Sequence, residues 1–207
     1  MIGIIDYGLS NLNSICNAIL KLNQKIKLVD SKTNFEQFNK IILPGVGSFP
    51  KAIENLKKQK LFDIIKKQVL IDKKPILGIC LGMQLFFEYS SEDIGSEGIG
   101  ILKGKVKSLN VTKEFKVPNI GWRQIKVDQK GVLLKNIEEN PIFYFIHKYA
   151  CFSEEQNLIK STLKHSHEFD CLIEKENIFC TQFHPEKSQK IGIKLLENFI
   201  NYKNGKY

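Results

Sequence analysis

The stretch Gly78-Ile79-Cys80-Leu81-Gly82 sets a thiol between two glycines, each two residues away, where a short apolar run gives way to a helical pattern. Small residues on both sides let a chain turn sharply and hold the apex side chain above the end of a strand. A helix starting at such a turn aims its first N–H groups at the apex, which favours a thiolate and offers donors to a developing oxyanion. A cysteine at a strand–helix turn is otherwise a small buried residue, and the paired glycines shift the reading toward a nucleophile. Such a thiol needs a base, and the base needs a group that orients it. Phe183-His184-Pro185-Glu186 supplies both, far downstream at the end of another apolar run. His184 and Glu186 stand two apart and can project to one side, with Pro185 stiffening the pair. Joined to the elbow, they make a Cys80-His184-Glu186 triad the leading reading. Of the other histidines, His165 and His167 lie in a polar stretch and are expected at the surface. His147 follows an apolar run and is open to a structural or a functional role.

A third segment, Leu43-Pro44-Gly45-Val46-Gly47-Ser48-Phe49, is a glycine-rich loop after a strand. It lacks the G-x-x-x-x-G-K-[ST] spacing of a phosphate loop. It is either an ordinary strand-to-helix turn or the source of a backbone N–H that completes an oxyanion hole with Leu81.

The elements that must position these groups follow from hydrophobic periodicity. Residues 2–5 and 75–79 read as short buried strands, 26–29 and 40–43 as further short strands, and Leu12, Ile15, Cys16, Ile19 and Leu22 as one face of a helix. Residues 49–56 and 61–70 are expected as amphipathic helices. Strands alternating with helices at this pace predict an α/β fold, a parallel sheet covered on both faces. Beyond about residue 100 the texture is β-rich, with strands expected near 105–109, 124–127, 142–146, 158–163, 171–174 and 178–181. A helix over 189–202 closes the chain, with Ile191, Leu195, Phe199 and Ile200 on one face. Without a linker, repeat or low-complexity stretch, a single domain over residues 1–207 is expected.

Composition narrows the class. There are 31 basic against 22 acidic residues, a net charge of +9, yet Arg123 is the only arginine. Proteins that read bases or clamp phosphates favour the bidentate arginine fork, so a lysine-rich solvated surface is expected rather than a nucleic-acid footprint. The five cysteines, Cys16, Cys80, Cys151, Cys171 and Cys180, form no C-x-x-C pair and no metal-like spacing with histidine. A disulfide framework and a zinc site are therefore not expected, and with no dinucleotide fingerprint no organic cofactor is expected either. The start lacks a basic n-region and no long apolar stretch occurs, so neither a signal peptide nor a membrane span is expected. These features suit a protein of the reducing cytoplasm.

The strings PGVGSF (44–49), GICLGMQ (78–84) and FHPEKS (183–188), in this order and spacing, resemble the class I glutamine amidotransferases. More narrowly they are similar to the glutaminase subunits of imidazole glycerol phosphate synthases. IGIIDYG at the start, PNIGW (118–122) and YFIHKY (144–149) support the likeness over essentially the whole chain. The resemblance implies a mixed, mostly parallel sheet flanked by helices, and hydrolysis of L-glutamine to glutamate and ammonia. By it, Cys80 would form a glutamyl thioester, His184 would protonate the departing ammonia and then activate water, and Glu186 would orient His184. Gly47 and Leu81 would match oxyanion positions, and Gly45, Gln84 and Glu92 places that hold the glutamine.

The implied partner is a (β/α)₈-barrel cyclase, forming a heterodimer in which ammonia is channelled to a phosphorylated ribulosyl intermediate for histidine biosynthesis. Asn11, Trp122 and Lys187 would match partner-facing positions. The chain departs from the family pattern at Ser10, Asn13, Asn119, Ile120, Arg123, Lys148 and Ala150, none of them in the triad. These departures fall in segments the family turns toward its synthase. They leave open a paralogous subunit that feeds a surface-polysaccharide sugar amidotransferase. A non-catalytic regulatory or scaffold protein is a further alternative, against which the complete triad argues. A cysteine hydrolase of the same architecture acting on peptides or small aldehydes is another, and Gln84 and the PGVG loop favour glutamine over it.

Overall fold

The structure is a computed structural model that describes residues 1–93 and 95–203. Its first half runs β1 (Ile2–Ile5), α1 (Leu12–Lys21), β2 (Ile26–Val29), β3 (Lys40–Leu43), α2 (Phe49–Lys58), α3 (Leu61–Leu70), β4 (Ile76–Ile79) and α4 (Leu81–Gln84). Short strands follow: β5 (Tyr89–Ser90), β6 (Ser96–Glu97), β7 (Gly104–Ser108), β8 (Asn119–Gln124) and β9 (Lys126–Val127). The chain then forms β10 (Ile142–His147), β11 (Tyr149–Ser153), β12 (Ile159–Lys164), β13 (Glu168–Lys175), β14 (Ile178–Thr181) and α5 (Gln189–Asn201).

Four-residue apolar runs make strands buried on both faces when helices cover both sides of a parallel sheet. Accordingly β1, β3, β4 and β14 are buried at every position. Their side chains alternate between two cores. Ile5, Ile41, Leu43 and Ile76 pack with α2 and α3, whereas Ile2, Ile4, Ile42, Leu77 and Ile79 pack with α1, α5 and β10. The sheet order is β2-β1-β3-β4-β14-β13-β11-β7-β5-β6. It is parallel from β2 to β14 and antiparallel from β14 through β13 and β11 to β7, so the β-rich second half extends the sheet of the first. In α1 the buried residues Ile15, Ala18 and Ile19 form an i, i+3, i+4 stripe. In α2, Pro50 sits in the first turn and Lys57 and Lys58 in the last, each where the helix dipole and free backbone groups favour it.

Two expectations need correction. Residues 119–124 form strand β8, which pairs antiparallel with β10 as a separate two-stranded sheet. No strand was expected there because most of its side chains face solvent and Gly121 interrupts any apolar alternation; pairing across to β10, a tertiary effect, makes it a strand. His165, expected at the surface, is buried: its ring packs on Phe115 at 4.7 Å and its Nε2 lies 3.1 Å from the Lys116 carbonyl. The lysine-rich surface has one exception as well. Lys40 is buried in β3, with Nζ donating to the Tyr202 carbonyl at 2.6 Å.

Candidate active site

The carboxyl ends of β3, β4 and β14 lie side by side, the place where open parallel sheets gather loops into a site. Each of the three strings singled out in the sequence leaves one of these ends. A cleft of about 330 Å³ opens there, lined by Gly47, Cys80, Leu81, Gln84, Glu92 and Lys187, with Val46 and residues 146–149. A larger concavity of about 660 Å³, between residues 129–135 and the end of α5, contains neither a thiol nor a histidine. Size alone does not locate the chemistry.

Cys80 occupies the turn between β4 and α4 with φ 55° and ψ −108°, a conformation that a side-chain-bearing residue keeps only where its surroundings enforce it. What enforces it is the close passage of β3 beneath the turn. A Cβ on Gly82 would collide with the Leu43 carbonyl. Cys80 precedes α4, whose first N–H, that of Leu81, has no acceptor within its own helix. The Gln182 amide nitrogen stands 3.7 Å from the Cys80 sulfur, and the Ile146 carbonyl 3.9 Å.

His184 follows β14, with its backbone N–H on the Tyr144 carbonyl at 2.9 Å. Its Nδ1 donates to Glu186 Oε1 at 2.7 Å, and both side chains are almost fully buried. That bond leaves Nε2 for the sulfur. Nε2 is buried without a well-formed hydrogen bond, and Cys80 is the group that acts on it. Burial by itself would push the His184 pKa down. The adjacent Cys80 thiolate, and after it the Glu186 carboxylate, more than offset this and carry it up to about 10. The imidazole is therefore held protonated beside the Cys80 sulfur, placed to give a proton while the sulfur attacks. Cys151, Cys171 and Cys180 are fully buried, and burial pushes their thiols well up, keeping them protonated.

The other expected residues divide by position. Gln84 donates its amide to the Tyr149 carbonyl at 2.9 Å and to Gln182 Oε1 at 3.1 Å, holding the floor of the cleft together. Glu92 reaches the cleft while its Oε2 accepts from the Phe49 N–H at 2.8 Å, at the start of α2. Gly45 packs beneath the elbow, where a Cβ would run into Tyr7, Leu81 and Gly82. Gly47 lines the cleft with φ 102°. The neighbouring Val46 N–H points elsewhere, onto the Leu9 carbonyl at 2.9 Å. Lys187 stands at the cleft, whereas Asn11, exposed before α1, and Trp122, exposed on β8, do not line it. Sequence reasoning missed Gln182. Its signal was present, because it lies two residues before His184 at a strand end and so shares its side. Among the described residues, no group of three or more His, Cys, Asp or Glu could hold a metal ion, and no helix is long and apolar enough to cross a membrane.

A thiol on an elbow at the end of a parallel strand, served by a histidine and glutamate from the neighbouring strand, defines a triad-type α/β architecture. The chain belongs to the class I glutamine amidotransferase family, whose model matches residues 3–202. It is 42% identical over 200 residues to imidazole glycerol phosphate synthase subunit HisH 2 of Methanococcus maripaludis, covering 97% of this chain and 98% of that protein. It is 43% identical to subunit HisH of Methanocaldococcus jannaschii, with the same coverage. Subunit HisH 1 of Campylobacter jejuni is 40% identical, over 97% of this chain and 99% of its own length. Among solved structures, one described as PurLQS from Thermotoga maritima shares the fold at a TM-score of 0.73 and 21% identity, covering 97% of both chains.

Proposed function

We propose that this protein is the glutaminase subunit of an imidazole glycerol phosphate synthase, a single amidotransferase domain working in the cytoplasm. The observation that carries the reading is Cys80 in the cleft with the buried His184–Glu186 pair acting on it, in a chain about 40% identical end to end to HisH subunits. Cys80 attacks the side-chain carbonyl carbon of glutamine. The tetrahedral oxygen takes the Leu81 N–H and an N–H of the 45–47 loop. His184 gives its Nε2 proton to the amide nitrogen, and ammonia leaves a glutamyl thioester. The same nitrogen, now bare, takes a proton from water, which attacks the thioester and releases glutamate. Glu186 holds the imidazole in the tautomer that both steps need. Gln84 and the free oxygen of Glu92 face the substrate's polar end.

The partner is a (β/α)₈-barrel cyclase that receives the ammonia. Trp122, Asn11 and Lys187 face it, and the exposed apolar side chains of Ile120, Trp122, Ile142 and Ile146 on the β8–β10 sheet supply a docking surface. With the Val46 N–H held by Leu9, the oxyanion hole is incomplete. Docking shifts the loop toward a conformer that turns this N–H inward, so the isolated subunit is poorly active. The test is glutamine hydrolysis by the parent and by Cys80→Ala, each with the barrel subunit present. The parent should turn over glutamine and the variant should not; equal rates would end the glutaminase reading.

A further inference from the structure

The wall of the cleft formed by residues 146–149 is held by a hydrogen-bond chain that begins at the surface, on residues outside the triad. Arg123 sends Nε to Asn119 Oδ1 at 3.1 Å. Its two terminal nitrogens cap the carbonyls of Trp122 and Ile120 on the free edge of β8. Asn119 Nδ2 lies 3.0 Å from His147 Nε2, and His147 Nδ1 lies 2.8 Å from the Tyr149 carbonyl, which Gln84 also uses. The polarity of this chain has only one solution. A guanidinium can only donate, so the Asn119 oxygen must face Arg123 and its NH₂ must face His147. His147 Nε2 must then accept, and the ring's single proton must sit on Nδ1, where the Tyr149 carbonyl requires a donor. An imidazolium would set N–H against N–H.

We infer that Asn119, its amide held in one orientation by Arg123, is a positioning residue that keeps His147 a neutral imidazole beside the His184–Cys80 pair. The inference rests on the triad reading above and extends it to the residues that set the charge around the triad. The titratable groups acting on His147 are His165, from the turn after β12, and His184, from the end of β14; each disfavours a charge on it. Lys148, next in the chain, is exposed, and the rings of Phe145 and Phe169 cover the imidazole. Burial pushes the same way, holding the pKa of His147 down at about 4. A second imidazolium at this point would oppose the positive charge that His184 must carry to serve as proton donor.

The test pairs the parent with Asn119→Asp, which keeps the shape but turns the NH₂ into an acceptor. Imidazole ¹⁵N spectra of the parent should show His147 as the Nδ1–H tautomer, unchanged from pH 5 to 8. In the variant His147 should titrate within that range. The kcat/KM of its complex with the barrel subunit should acquire an acid limb at the same midpoint, falling about tenfold per pH unit below it. A parent His147 that titrates near its ordinary value, or carries its proton on Nε2, overturns the inference. So does a variant whose loss of activity is the same at every pH. The parent spectrum needs neither turnover nor a folded variant, so failure here is distinct from failure of the glutaminase reading.

Discussion

Glu186, His184 and Cys80 form a line in which each member acts on the next. The carboxylate accepts from Nδ1, and Cys80 and Glu186 together hold the ring protonated, with its other N–H on the side of the sulfur. Glu186→Gln keeps an acceptor for Nδ1 but removes the charge that supports the imidazolium. The variant should lose about 10²- to 10⁴-fold in kcat with KM little altered, read by steady-state glutamine hydrolysis. His147 is the counterweight, a buried ring whose pKa lies below its ordinary value. For such a base the unfolded chain binds the proton first as pH falls. Its contribution to stability is complete above about pH 6.5 and is lost down to about pH 4, at most about 3 kcal/mol. Urea unfolding at a series of pH values should show this decline in the parent, and His147→Gln should flatten it.

At the scale of elements, three loops from the ends of β3, β4 and β14 meet because the strands run parallel and in register. The elbow depends on Gly82 lying against β3. Gly82→Ala should lower the urea midpoint by the equivalent of about 1–3 kcal/mol and displace the Leu81 N–H, so that glutaminase activity falls by more than stability alone explains. The β8–β10 sheet is the other element that matters. It is pinned to the residues around His184 by Ser188, whose hydroxyl accepts from the Tyr144 N–H and donates to the His184 carbonyl. Stacking of Phe143 on Phe183 at 3.9 Å adds to this. The strand–helix alternation and most strand positions were legible, because short, largely apolar runs such as IGII and KIIL leave little choice. β8 was not, because it carries no apolar pattern of its own and exists only by pairing with β10.

For the whole molecule, the apolar side chains left exposed on the β8–β10 sheet include Ile146, which also lines the cleft. A partner docked there would touch the strand that carries both Arg123 and Asn119. If the proposed docking surface is right, Trp122→Ala should weaken the complex with the proposed barrel partner by about 30-fold or more in Kd, measured by titration calorimetry, as expected for a large buried ring in an interface. If the affinity is unchanged, the contact surface lies elsewhere.

The identities and spacing of Cys80 between Gly78 and Gly82, and of His184 before Glu186, already determined the chemistry proposed for the site. A sharp turn, a thiol and an oriented base are local properties of short strings. Only the tertiary structure decided which groups surround them: Gln182 beside the sulfur, the Val46 N–H turned onto Leu9, and the polarity running from Arg123 to His147. Those contacts join residues far apart in the chain. Their donors and acceptors are assigned by burial and by one another, and no single segment carries that information.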